Sequence, residues 1–161
     1  MDYLRGQFGA RTDALVTRFR QAYPHWKLSD LPLVDAGARA GALSVAAMKA
    51  AQSAPVYNYL FAWRSPVLDY AWAAGHSSEL AFVFDNAALG VQSSGGGAQV
   101  DRLTATISQA WINFARSGDP NAAGLPSWPR FTAGAPATMV LDAQSWVGVG
   151  HDARLIGLLV Q

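Results

Sequence analysis

Apolar positions recur at changing periods along this chain, and the changes mark its elements. Over residues 1–23 they fall three or four apart, at Leu4 and Phe8 and then at Leu15, Val16, Phe19 and Tyr23, the spacing of one helical face. Gly6 and Gly9 weaken the first part of this helix, Thr12 or Asp13 can cap the second, and Pro24 ends it. The arginines at 5, 11, 18 and 20 take its wet face, and His25 follows in an exposed loop. Residues 27–32 read as a linker. Residues 36–54 are alanine-rich and predict a second helix, with Asp35 favouring its N-terminal end and Leu43, Ala47, Ala50 and Ala51 on one face.

Beyond Pro55 the pattern changes. Residues 56–63, VYNYLFAW, have the composition of a strand with both faces covered. Arg64, Ser65 and Pro66 signal a turn, and residues 67–74 are aromatic and irregular. Residues 90–99, with glycine at 95, 96 and 97, predict a flexible connector; the lysine and hydroxyl residue of a phosphate loop do not follow. Val100, Leu103, Ile107, Trp111 and Phe114 make the clearest helical stripe, over residues 100–116, stopped by Ser117, Gly118, Asp119 and Pro120. A short strand is expected over 138–142 and a frayed or short helical tail over 148–161. Helices interleaved with two buried strands predict an α/β fold, and two strands are marginal alone.

Composition narrows the functional classes. Only 14% of the 161 residues are charged and 51% are hydrophobic, including six Trp, seven Phe and five Tyr. That is little charge for a free-standing domain, and it predicts apolar surface covered by more protein. A net charge of +1 without a basic run argues against a nucleic-acid partner. Cysteine is absent, so disulfides and thiolate metal sites are excluded, and three scattered histidines with one glutamate argue against a metal centre. No cofactor is implied. No apolar run reaches the ~20 residues of a membrane span. No signal peptide is present in this segment, which leaves cytoplasmic and secreted settings both open.

The stretch AGHSSELAFVFDN, residues 74–86, is where reactive chemistry is expected. His76 lies in a polar, turn-prone stretch, the sole glutamate, Glu79, follows three residues later, and the apolar run 80–84 is too hydrophobic to face water. A reactive polar residue is thus tethered to a buried anchor. The spacing suits a general base with nearby support, and equally a histidine capping a turn. Tyr70 and Trp72, just upstream, either line a pocket or pack the core.

The run GHSSELAFVF at 75–84 resembles the histidine motif of type-B carboxylesterases, the large α/β hydrolases that include bacterial para-nitrobenzyl esterases and cholinesterases. Three further stretches resemble the same family in the same order: PVYNYLFAWRSP at 55–66, WINFARSGDPN at 111–121, and LPSWPRF followed by MVLD at 139–142. The resemblance implies that His76 is the triad base and Glu79 a buried, hydrogen-bonding support of its loop. It implies the C-terminal part of an α/β-hydrolase fold, with few strands and several packed helices, and a small carboxylic ester as substrate of the full-length enzyme. Residues 1–161 would be the C-terminal segment of a catalytic domain, incomplete as a fold. The partner implied is a missing N-terminal segment that carries the serine nucleophile, the acid and the oxyanion loop.

The departures matter as much. The family is roughly three times longer, and its Gly-x-Ser-x-Gly elbow has no counterpart here; Ser44, in GALSVAA, lacks the second glycine. The glycines at 95–97 fall after the histidine, on the wrong side of it for the oxyanion loop. Two alternatives stand beside truncation: an inactive stand-alone interaction module, and one half of a split esterase. A base without nucleophile or oxyanion donors cannot run efficient acyl transfer. The isolated chain is therefore predicted to hydrolyse a short-chain nitrophenyl ester no faster than its His76→Ala variant, and to form oligomers or bind hydrophobic dyes. A saturable rate lost only in the variant would overturn this.

Overall fold

The computed structural model describes residues 1–70 and 73–161. The amphipathic N-terminal run forms two helices, α1 (Asp2–Phe8) and α2 (Thr12–Ala22), joined by a 3-10 turn at Gly9–Arg11. Leu15 and Phe19 of α2 are fully buried, as their spacing demands. The residue 27–32 linker is a 3-10 turn, Leu28–Leu33. Helix α3 (Ala36–Ala50) starts at Asp35, the residue expected to favour its N-terminal end, and Asp35 Oδ1 accepts a hydrogen bond from the Ala38 amide at 2.9 Å, a cap worth about 1 kcal/mol. Its inward face differs from the expected one. Arg39 and Ala46 are buried, whereas Ala47 and Ala51 are exposed. An alanine-rich sequence has no strong apolar stripe to fix its rotation, so one buried ionic contact sets it.

The expected strand over 56–63 shortens to β1 (Tyr59–Phe61). Strand β2 (Ala137–Leu141) is buried along its whole length, and a third strand that was not expected, β3 (Trp146–Val149), runs into the first two residues of the expected 148–161 tail. The sheet order is β1-β2-β3. β1 and β2 are parallel, with Tyr59 opposite Met139 and Phe61 opposite Leu141; β2 and β3 are antiparallel. Gly148 disguised β3, since glycine is poor in strands. The structure requires it: a Cβ there would lie 2.4 Å from His151 Nδ1.

Helix α4 (Leu80–Val83) and α5 (Val91–Ser94) are single turns, the latter inside the expected glycine-rich connector. Helix α6 (Ala98–Ser117) carries the predicted stripe, with Val100, Leu103 and Ile107 buried and Phe114 half out in solvent. Helix α7 (Ala153–Leu159) closes the chain. One apolar cluster joins α4 and α6 to Trp63, Met139 and Leu141 on one face of the sheet. The other joins α1, α2, Leu31 and Leu155, with Leu60 of β1 packed against it. A mostly helical chain thus sandwiches a small open sheet of three strands, the α/β arrangement expected.

The layer of α2, α3 and α7 meets the sheet through a buried polar cluster. Asp152, just before α7, is 1% exposed, and its carboxylate accepts from Arg39 Nε at 2.7 Å and Nη2 at 3.2 Å. Arg39 Nη2 also donates to Thr138 Oγ1 of β2 at 2.9 Å, and Asn58 Nδ2 donates to the same oxygen at 2.9 Å. Removing one member of a buried pair leaves a bare charge, which costs about 3–5 kcal/mol. Arg39→Met should therefore lower the denaturant midpoint sharply, while Arg5→Met, which loses only the exposed 3.8 Å pair with Asp13, should leave it in place. Equal midpoints for the two variants would refute the role given to Arg39.

Candidate functional site

Local chain geometry holds His76 out in the open. Residues 75–79 form a turn in which the Ser78 amide and hydroxyl both donate to the Gly75 carbonyl, at 3.1 and 2.7 Å. Ser77 takes a left-handed backbone, φ +64°. The Glu79 carbonyl accepts from the Phe82 and Val83 amides at 2.9 Å each, which starts α4. Phe82, 2% exposed, plugs that helix into the core, 5.1 Å from the ring of Phe61 and 6.5 Å from that of Trp63. Burial of one such ring stabilises by about 1.5–3 kcal/mol. The apolar run therefore does anchor the loop, but through fewer residues than expected: Leu80 and Phe84 are 47% and 71% exposed.

His76 is exposed and lines two cavities that share its loop. One is an open groove of 610 Å³ along β1, bounded by Val34, Ala38, Arg39, Tyr59 and Glu79 among others. The other, 300 Å³, lies behind the loop between Trp63, Phe82 and the serines 65, 78 and 94. Gly95 lets the chain close tightly there: it has φ +91°, and a Cβ would meet Pro66 Cδ at 2.4 Å. Glu79 is half-buried, and among the described residues its carboxylate makes no hydrogen bond; the loop support expected of it is carried by its backbone carbonyl. Its charge is felt by Tyr59, whose phenol is raised above its ordinary pKa by burial and then by Glu79. Tyr70 is exposed, with its carbonyl 3.2 Å from Arg64 Nη2, and is not among the residues lining either cavity. Trp72 lies outside the described residues.

A second constellation was not foreseen. His151 stands beside Asp152, Nδ1 to Oδ1 3.9 Å, a histidine–aspartate pair of the kind that forms part of a catalytic dyad or triad. Its surroundings are those of a packed core. Both His151 nitrogens are buried without a hydrogen-bond partner among the described residues. The ring sits edge-on to Tyr23 at 5.6 Å and to Trp146 at 4.9 Å. The Tyr23 hydroxyl donates to Asp152 Oδ2 at 3.1 Å. Burial pushes the His151 imidazole below its usual pKa, opposed by Asp152 and reinforced by Arg39. Burial alone would raise Asp152; the hydrogen bonds and charge of Arg39, with His151 and Tyr23, outweigh it and hold the carboxyl below the usual range. Tyr23 is raised by burial and by Asp152. No sequence pattern exposes this cluster, because Arg39 and Asp152 lie 113 residues apart. The one available signal was an arginine alone in an alanine- and glycine-rich helix.

Comparison with known proteins follows the same outline. The family model described as the carboxylesterase family matches residues 24–152. The chain is 39% identical over 95 residues to phenmedipham hydrolase of Pseudarthrobacter oxydans, covering 54% of this chain and 18% of that protein. It is 35% identical over 94 residues to para-nitrobenzyl esterase of Bacillus subtilis, covering 56% of this chain and 19% of that one. Among solved structures, an esterase from Clostridium hathewayi superposes with a TM-score of 0.90 at 32% identity, over 98% of this chain and 31% of its own. A carboxylesterase of Geobacillus stearothermophilus superposes at 0.68 and 32% identity, over 98% and 33%. The chain therefore spans about a third of these structures, and less than a fifth of each of these two relatives is aligned.

The buried histidine has a consequence for acid stability. An unfolded histidine titrates near ~6.5, and the folded His151 titrates lower. Its contribution is intact above the unfolded value and is lost as pH falls through the folded one. The Asp152 contribution has the same sign at lower pH, present above the ordinary carboxylate value and lost below it. His151→Phe should flatten the stability profile just below ~pH 6.5 while leaving the steeper acid limb. Denaturant titrations across pH read this directly, and an unchanged upper limb would contradict it.

Proposed function

The chain belongs to the carboxylesterase family, and on that footing we propose that it is the C-terminal segment of a larger catalytic domain that hydrolyses carboxylic esters through a serine acyl-enzyme. His76 is its general base. It takes the proton of a serine supplied by the rest of the parent polypeptide and returns it to the leaving alcohol. The observation that carries this reading is the exposed position of His76 on a turn anchored by Phe82, facing open cavities on both sides of its loop. A base needs hydrogen-bond reach to a nucleophile, and an exposed ring leaves room for one.

The juxtaposition of His151 with Asp152 favours a second reading, in which that pair forms part of the triad. It is the weaker one. Asp152 is already engaged by Arg39 and Tyr23, the 3.9 Å separation exceeds a hydrogen bond, and the buried ring nitrogens leave no space for a serine. No metal or cofactor enters the proposed chemistry. The ester itself is assigned only as a class.

Histidine variants of the complete gene product separate the two readings. His76→Ala should lower kcat for a nitrophenyl ester by at least about a thousandfold with the fold retained. His151→Phe should retain most of kcat at neutral pH, and change instead the pH dependence of stability below ~6.5. Near-normal turnover in a folded His76→Ala protein, or a thousandfold loss confined to His151→Phe, would reverse the assignment.

A further inference from the structure

Behind the His76 loop a buried indole makes a long-range bond. Trp63, just past β1, is buried, and its Nε1 donates to the Ser94 carbonyl at 3.1 Å. A buried indole N–H needs a partner. Ser94 ends α5, where the last carbonyls lack helical partners. Each group therefore satisfies the other across 31 residues of sequence. Ser94 is itself fixed: its buried hydroxyl donates to the Ala87 carbonyl at 2.9 Å and accepts from the Gly96 amide at 3.3 Å.

A second contact completes the clasp. Gly95 has φ +91°, and a Cβ on it would lie 2.7 Å from Pro66 Cγ and closer still to Cδ. The proline ring thus lies directly on the glycine backbone. The turn at 63–66 is held at both ends by residues 94 and 95. That turn also faces the proposed reactive loop, because Trp63 and Ser65 line the 300 Å³ cavity together with Gly75, His76 and Ser77. A cavity gives the loop no close-packed atoms on that side. The loop's height then rests on Phe82, whose ring lies 5.1 Å from that of Phe61 and 6.5 Å from that of Trp63. Trp63 is where the clasp and the Phe82 plug meet.

We propose that Trp63, clasped by Ser94 and Gly95, is a positioning residue for His76. The indole bond and the Pro66–Gly95 contact fix the turn against which the histidine loop is braced, and so set the reach of the imidazole toward its serine. This rests on the reading of His76 as the general base. Trp63 acts through the loop and not on the reacting atoms.

Trp63→Phe keeps an aromatic ring and removes the donor. In the complete gene product it should lower kcat for a nitrophenyl ester about ten- to a hundredfold, the scale of a misplacement near ~1 Å, with KM changed by less than about twofold. Gly95→Ala, which displaces Pro66 and keeps the indole, should give the same signature. Trp128→Phe is the matched control: Trp128 is buried in the same apolar cluster, and its Nε1 has no hydrogen-bond partner among the described residues. It loses packing alone and should leave kcat near normal. In a His76→Ala background Trp63→Phe should cost nothing further, since there is no base left to position. Normal kcat in folded Trp63→Phe or Gly95→Ala protein, an equal loss in Trp128→Phe, or an undiminished loss in the His76→Ala background overturns the proposal. Backbone NMR relaxation at residues 75–79 reads the positioning without turnover: Trp63→Phe should raise mobility there and leave α6 as it was. An unchanged loop overturns the proposal whatever the activity. A loosened loop in a protein whose turnover does not need His76 would sink the functional reading and leave the brace standing.

Discussion

The buried pair between Arg39 and Asp152 organises the architecture. Two charges taken out of water gain stability only when geometry and extra hydrogen bonds offset the desolvation. Here the carboxylate takes two guanidinium bonds and one phenol bond, and the guanidinium reaches on to Thr138. Those contacts tie α3, the end of α2, the central strand β2 and the start of α7 into one unit. An alanine-rich helix could pack in several rotations at similar cost. The pair selects one.

The proposed reactive loop uses the opposite strategy. His76 itself is held by little, and its position comes from neighbours on both sides: the turn closed by Ser78 and the Phe82 plug. The aromatic cluster of Phe61, Trp63 and Phe82 supplies a rigid floor, and a hydrogen bond from Trp63 Nε1 to the Ser94 carbonyl at 3.1 Å joins that floor to the glycine-rich connector. An accessible residue on a stiff base is what proton transfer in a shaped site requires.

Elements with strong local signals were legible in the sequence. The α6 stripe, the Asp35 cap and the two N-terminal helices need only spacing and capping chemistry. Strand β2 was legible because it is apolar and bounded by turns. Where long-range contacts decide, the sequence misled. Strand β1 narrows to three residues because only those lie in register opposite β2, and β3 hid behind a glycine that the fold needs for the His151 ring. The rotation of α3 depends on an aspartate far along the chain. The candidate loop was visible through its resemblance to known esterases, while the His151–Asp152 cluster carried no motif at all.

The reach of that ionic contact also constrains the order of events during synthesis. Arg39 is made 113 residues before Asp152, and β1 precedes β2 by a comparable stretch, with Asn58 and Thr138 separated by 80. At cellular elongation rates of ~5–20 residues per second, Arg39 waits on the order of ten seconds for its partner. During that interval the β1–β2 pairing cannot form, and the backbone groups of β1 that β2 will meet stay open. Slow decoding between the two strands would lengthen that interval.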